Sequence, residues 1–321
     1  MLFSLGSVTS MLDAATLPGF NLCRHRLESH GDSAQVSGLP LSMRATIKKS
    51  VLFMTLAVAA SLGEPCAFAD EPPSSAAPAA PTNVDDAWHY VIGGGVLSLP
   101  RYPGASDRRY EPIPVLGASY GPLFIGSVPG SDTPFEIGAY LYRDAHWKVA
   151  ALLSYDFFSP RNVSDDPAQL HGLGDIARTA HTGLLVSYSQ SFFTLRSAVN
   201  TDIGGKHEGT QILFDALGHY RLNDKVSFEG GPGITWGSSQ YNETFYGVTQ
   251  AQSSSSGLAS TAEGSGLNAV RLEGGATYHV SRQWSVDAKI ALTHLPGDVG
   301  KSPIVQKRTQ IDYGLFVVGA F

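Results

Sequence analysis

From about Trp88 onward, apolar and polar side chains alternate with a period of two. Val270, Leu272, Gly274, Ala276, Tyr278 and Val280 stand against Arg271, Glu273, Gly275, Thr277 and His279. The next run repeats the pattern, with Trp284, Val286, Ala288, Ile290 and Leu292 against Ser285, Asp287, Lys289, Ala291 and Thr293. A third sets Val226, Phe228, Ile234 and Trp236 against Ser227, Glu229 and Thr235. Successive side chains of a strand point to opposite faces, so each run predicts a strand with one apolar and one polar face.

About twelve comparable runs lie near 87–98, 109–119, 122–129, 133–143, 146–157, 179–189, 192–203, 208–221, 224–237, 267–280, 283–295 and 310–321. Soluble strands usually have about 5–6 residues, whereas strands that cross a membrane in a barrel need about 9–11. The connections carry a second signal. Those near Tyr120-Gly121, Asp144-Ala145, Gln190-Ser191, Asn223-Asp224 and Ser281-Arg282 are tight, while 158–178, 238–266 and 296–309 are long. Outer-membrane barrels have tight periplasmic turns and longer outside loops, and an even strand count puts both termini on the turn side. The predicted fold class is therefore all-β: a transmembrane antiparallel up-and-down β-barrel of about twelve strands, both termini periplasmic. A secreted β-sandwich is the soluble alternative, and it needs shorter strands and a shared core.

Aromatic residues cluster toward the ends of the apolar faces: Trp88, Trp147, Tyr155, Phe157, Tyr220, Trp236, Tyr278 and Trp284. Amphipathic rings prefer the headgroup level, and such girdles flank the apolar band of a membrane barrel. Composition then gains a cause. Only 16% of residues are charged, against about 25% in soluble domains. A charge on the lipid face costs roughly 2–4 kcal/mol at the bilayer midplane. In the last run Ile311, Tyr313, Leu315, Val317 and Phe321 alternate with Asp312, Gly314, Phe316 and Ala320. Bacterial barrels typically close on such a strand with a terminal aromatic, and Phe321 is the expected signal to the barrel assembly machinery.

The residues before the barrel read as a targeting and leader region. Val51 to Leu62 is too short an apolar stretch to span a bilayer as a helix, which takes about 20 residues. It follows Arg44, Lys48 and Lys49 and precedes Ala67-Phe68-Ala69. A basic region, a short apolar region and an A-x-A end make up a cleavable secretory signal. With Met43 as start, the expected organisation is an upstream extension over 1–42, a signal peptide over 43–69, a disordered periplasmic leader over 70–86 and the barrel over 87–321. Cleavage after Ala69 would remove both cysteines, Cys23 and Cys66.

Candidate chemistry is sparse. A net charge of −6 argues against a nucleic-acid partner bound through its phosphates. Ten histidines are scattered without H-x-x-x-H or H-E-x-x-H spacing, so neither a metal nor a cofactor is expected. Gly117-Ala118-Ser119-Tyr120-Gly121 matches the nucleophile-elbow string G-x-S-x-G, but the elbow needs a helix after its strand. A tight hairpin turn is the expected reading, with no catalytic residue. Lys148, Asp156, Arg196, Asp215, Glu229, Arg271, Glu273, Asp287 and Lys289 fall on polar faces. Their mixed signs predict cross-strand ion pairs filling the lumen, with a water-filled pore as the alternative.

Three strings resemble the MltA-interacting protein (MipA/OmpV) family of Gram-negative outer membranes. The first is Tyr102-Pro103-Gly104-Ala105-Ser106-Asp107, followed by Tyr110, Pro112 and Pro114, with Ala105 resembling an insertion in the family's Y-x-G-S. The second runs through Tyr241-Asn242-Glu243, Phe245-Tyr246-Gly247-Val248-Thr249, Gln252-Ser253 and Ser256-Gly257-Leu258. The third is Leu295-Pro296-Gly297-Asp298 with Ser302-Pro303-Ile304-Val305. The signature positions are thus Tyr102, Gly104, Ser106, Tyr241, Tyr246, Gly247, Gly257, Ser302 and Pro303. The resemblance spans roughly Trp88 to Phe321. It implies a non-enzymatic barrel in contact with outer-membrane lipid, acting as a scaffold for murein enzymes. The partners it implies are a periplasmic lytic transglycosylase and a penicillin-binding protein. A small-solute pore or a ligand-binding or adhesive protein is the alternative, and an outer-membrane lipid hydrolase a third. All three strings fall largely in connections expected outside the cell, whereas murein enzymes are periplasmic, so the alternative expectation is that they fold a loop into the barrel, closing it or shaping a ligand pocket.

Overall fold

A computed structural model of the chain describes residues 87–126 and 135–321. The extension, signal peptide and leader expected over 1–86 lie outside the described residues.

Among the described residues twelve antiparallel strands close into a barrel, each hydrogen-bonded to its sequence neighbours and the last to the first. They are β1 (Trp88–Pro100), β2 (Arg108–Tyr120), β3 (Leu123–Gly126), β4 (Glu136–Arg143), β5 (Trp147–Tyr155) and β6 (Ala180–Gln190). The second half comprises β7 (Phe193–Asp202), β8 (Thr210–Arg221), β9 (Val226–Gly237), β10 (Gly266–His279), β11 (Trp284–His294) and β12 (Thr309–Ala320). The closing seam pairs Val91 with Ala320 through Ser98 with Tyr313. Closure leaves no unpaired edge, which a sheet in hydrocarbon cannot tolerate. The runs expected at 122–129 and 133–143 are described as strand only at Leu123–Gly126 and Glu136–Arg143, with 127–134 outside the described residues.

Alternation separates the two faces at nearly every step. On β12, Leu315 is 57% exposed on the outside, whereas its neighbour Phe316 is 0% exposed on the inside. Ile290, Leu292, Ile311, Tyr313 and Val317 join the outer apolar surface, which only lipid can solvate over so continuous a belt. The eight girdle aromatics are all exposed. Trp88 sits near Tyr120 and Trp147 near Tyr188, with ring centroids 5.1 and 4.9 Å apart. These pairs mark the end that carries the tight turns.

Among the described residues the tight turns lie at one end of the barrel and the longer connections at the other. The G-x-S-x-G string forms one of the tight turns: Ser119 lies in β2, Gly121 has φ +55°, and β3 follows with no helix.

The lumen corrects one expectation. Ion pairs do not fill it alone; apolar clusters share the interior with them, in part on the same strands. Val91, Leu97, Ile113, Val115, Phe316 and Val318 form one inward cluster across β12, β1 and β2. Phe124, Ala150, Leu152, Leu185, Ala198 and Leu213 form another on β3 and β5 to β8. Two positions along β7 and β8 from Ala198 and Leu213, Arg196 donates from Nη2 to Asp215 Oδ2 at 2.8 Å, and Arg271 donates to Asp215 Oδ1 at 2.7 Å. Asp287 accepts from Thr277 and Ser285 at 2.6 and 2.7 Å. Even small inward residues such as Ala150 and Ser285 are buried, at 0% and 1% exposure. A wide water-filled channel would leave them wet.

Candidate functional site

The long connections contain helices that period-two alternation does not announce. α1 (Pro167–Leu170) is a single turn, capped by Asp166, whose side chain accepts the Gln169 N–H. α2 (Ser239–Tyr246) starts at Ser238, whose hydroxyl accepts the Tyr241 N–H. α3 (Gln250–Ser256) opens with a capping box between Thr249 and Gln252. That T-x-x-Q spacing is a readable helix start, and it is the signal that could have located α3 in the sequence.

These helices and their flanking loops bury apolar side chains against one another and form a cap over the loop end of the barrel. Tyr102, Ala105, Leu170, Leu173, Val248 and Ile304 make one cluster. Ile176, Tyr241, Phe245, Tyr246, Leu295 and Val299 make a second. Each cluster draws on three or more connections, so the cap is a shared core rather than independent loops.

The nine signature positions belong to this cap. Tyr102 is buried in the first cluster, and burial raises its hydroxyl pKa. Gly104 has φ +93°, and a β-carbon there would meet Val305, so glycine suits both its backbone and its packing. Its N–H donates to Gln310 Oε1 at 3.1 Å, and its carbonyl accepts the Gln306 and Lys307 N–H groups. Ser106 donates from both N–H and hydroxyl to Gln306 Oε1, at 2.9 and 2.8 Å. The 102–107 and 302–310 strings are thus one folded unit, although they are some 200 residues apart in sequence.

Tyr241 stacks on Phe245 at 4.4 Å, and its hydroxyl accepts from Gln211 at 3.0 Å. Burial raises the Tyr246 hydroxyl pKa, and Gly247 and Gly257 terminate α2 and α3. Ser302 donates its hydroxyl to the Tyr246 carbonyl at 2.5 Å and accepts the Ile304 N–H at 3.2 Å. The Pro303 carbonyl accepts from Gln169 at 2.7 Å. Arg161 donates to the Phe245 carbonyl at 3.2 Å, and burial lowers its pKa to about 10. Phe321 lies apart from the cap at the turn end, exchanging backbone hydrogen bonds of 2.9 Å with Tyr90.

Beneath the cap lies a cavity of about 120 Å³, with Tyr102, Tyr241 and Phe245 among its walls. Asp156, His181 and Glu208 meet on its side. His181 Nε2 is 3.1 Å from Asp156 Oδ1 and 3.6 Å from Glu208 Oε2. Asp156 keeps Oδ2 for the Thr179 N–H at 2.8 Å, and Thr179 donates its hydroxyl to Asp202 at 2.7 Å. Asp202 also accepts the N–H groups of Gly204, Gly205, Lys206 and Glu208, which ties down the loop that carries Glu208. Burial first and the Asp156 carboxylate second push the Glu208 carboxyl up to about 8, against the pull of His181. Of this trio only Asp156 was expected to face the lumen. The other two come from separate segments, and no spacing in the sequence links them.

The family model described as MltA-interacting protein MipA matches residues 92–321. The chain is 27% identical over 221 residues to the MltA-interacting protein of Escherichia coli (strain K12), covering 68% of this chain and 84% of that protein. The Shigella flexneri MltA-interacting protein matches with the same identity and coverage. Among solved structures, the NanC porin is similar at a TM-score of 0.37 and 11% identity, over 72% of this chain and 98% of its own. OmpT of Vibrio cholerae is similar at 0.34 and 9%, over 73% and 97%.

Proposed function

Because the chain belongs to the MltA-interacting protein MipA family, we propose that it is a non-enzymatic outer-membrane scaffold for murein-remodelling enzymes. Its partners in this reading are a periplasmic lytic transglycosylase and a penicillin-binding protein. The observation that carries the reading is the family match across essentially the whole barrel, joined to relatives whose name states an interaction with MltA. The filled lumen supports it indirectly, because buried inward side chains around the barrel leave little room for a solute path.

The turn end is the periplasmic end by the rule for such barrels. It offers a partner an exposed rim with Arg143, Arg221, Lys225 and Arg282 among its charges, interspersed with Asp144 and Asp224. The capped end faces outward and plays no part in holding a periplasmic enzyme. Photocrosslinkers at Asp224 and Arg282, compared with one at Thr249 on the cap, test this in living cells. Capture of a murein enzyme from the two turn positions and not from Thr249 is expected. Capture from Thr249 alone, or of no murein enzyme from either turn, would overturn the scaffold reading.

A further inference from the structure

We infer that Asp156, His181 and Glu208 form a binding site for a divalent transition-metal ion of the zinc class, with an exchangeable position opening onto the cavity beneath the cap. The inference is independent of the scaffold reading.

Geometry comes first. Zinc binds imidazole nitrogen and carboxylate oxygen at about 2.0–2.2 Å, which sets tetrahedral ligand atoms about 3.3 Å apart. The two separations, 3.1 and 3.6 Å, bracket that value, and one ligand atom from each residue lies within 4.8 Å of the others. Three protein ligands with one position left for water is the arrangement of open zinc sites. The imidazole favours a transition metal over magnesium or calcium, which take oxygen alone.

The surroundings orient the ligands as a metal site requires. Asp156 uses one oxygen on the Thr179 N–H and leaves the other facing His181. Thr179 and the 203–209 loop are both anchored on Asp202. Outer partners of this kind fix ligand direction before the ion arrives.

A second observation points to a ligand. Glu208 is 3% exposed, and its Oε1 is buried without a hydrogen-bond partner among the described residues. Two carboxyl groups and one imidazole face each other in a buried place, where a lone carboxylate is costly. A divalent cation would neutralise both carboxylates and give Glu208 the partner it lacks. The adjoining cavity, at about 120 Å³, has room for a coordinated water.

The full chain, purified in detergent and stripped with chelator, is titrated with Co²⁺ and then with Zn²⁺. One Co²⁺ per chain is expected, with the intense visible absorption of a low-symmetry site that Zn²⁺ then abolishes. His181→Gln and Glu208→Gln should each weaken binding by roughly tenfold or more, whereas exposed His207→Gln should not change it. Barrel folding is followed by heat-modifiable gel mobility. A folded wild-type chain that takes up neither ion would overturn the inference, as would variants that bind like wild type. Should the variants fail to fold, X-ray absorption of the zinc-loaded wild type decides: one imidazole among oxygen ligands supports the site, and any other first shell refutes it.

Discussion

Phe316 lies with its ring across the α-carbon of Gly95, its register partner on the adjoining strand. A β-carbon at Gly95 would stand 2.3 Å from the Phe316 ring and 2.3 Å from the Leu315 carbonyl oxygen. Glycine weakens a strand because it brings no side chain to pack, and an aromatic ring laid over it restores the contact. This pair spans the β1–β12 seam, so it helps join the first strand to the last. Phe316→Ala should destabilise the barrel by about 3–5 kcal/mol, the usual cost of removing a buried ring. Gly95→Val should also destabilise it, by displacing that ring. Urea unfolding in phospholipid vesicles, read by tryptophan fluorescence, measures both. Unchanged midpoints would show that the seam does not depend on this contact.

Asp215 joins two arginines from strands on either side of it. Arg196 is its register partner, while Arg271 reaches past Gly233, where a β-carbon would stand 2.1 Å from Asp215 Oδ1. The cluster is buried, with Asp215 at 1% exposure. Breaking such a cluster costs about 3–5 kcal/mol, whereas replacing all of it with apolar side chains is often neutral. Asp215→Leu alone should therefore destabilise strongly. Joined to Arg196→Met and Arg271→Leu, it should recover part of the loss, because Glu273, 3.6 Å from Arg196 Nη2, then gives up that partner. Vesicle unfolding of the single and triple variants checks this, and a triple variant weaker than the single would reject the desolvation account.

The Ser302 hydroxyl holds two loops of the cap together through the Tyr246 carbonyl and the Ile304 N–H. Ser302→Ala should cost about 1–2 kcal/mol, because it leaves a buried carbonyl without its donor. The loss falls on the cap and not on the barrel strands. Protease cleavage within 238–265 should rise roughly tenfold for each 1.4 kcal/mol of easier opening, while the urea midpoint stays the same. An equal loss in both measurements would mean that cap and barrel unfold as one.

Thr249 is exposed at the start of α3, and no cysteine occurs among residues 87–321. With the cap on the outer face, Thr249→Cys should react with an impermeant maleimide on intact cells, and Asp224→Cys only after permeabilisation. The reverse pattern would invert the topology.

Asp144 closes the turn between β4 and β5. Its carboxylate accepts the Trp147 and His146 N–H groups at 2.7 Å each and the Tyr142 hydroxyl at 2.6 Å. The Trp147 N–H, then the Tyr142 hydroxyl and the His146 N–H, hold its pKa down at about 2. The folded value lies below the ordinary one, so the turn's support is present above about pH 4 and is lost as pH falls through about 2. Amide shifts of His146 and Trp147 should titrate together near that lower value. A common midpoint close to 4 would mean that the hydrogen bonds do not form.

Alternation is a local property, and it determined much from the sequence alone. It placed Leu315 outside and Phe316 inside, sent Asp215 and Arg271 to the lumen, and made a barrel the only fold that could satisfy such long two-faced strands in lipid. The order of tight and long connections, as at Asp144 and 238–265, determined which end would carry structure. Closure decided the rest. Which inward side chains meet depends on register around the whole ring, so which residues gather around Phe316 and which around Asp215 has no signature along the chain. The cap's contacts join residues as distant as Gly104 and Gln310, 206 positions apart, and loops that pack on each other need no period of their own. The Asp156, His181 and Glu208 trio is the same case. Three ordinary polar residues on three segments acquire a shared chemistry only when the folded barrel brings their side chains within a few ångströms of one another.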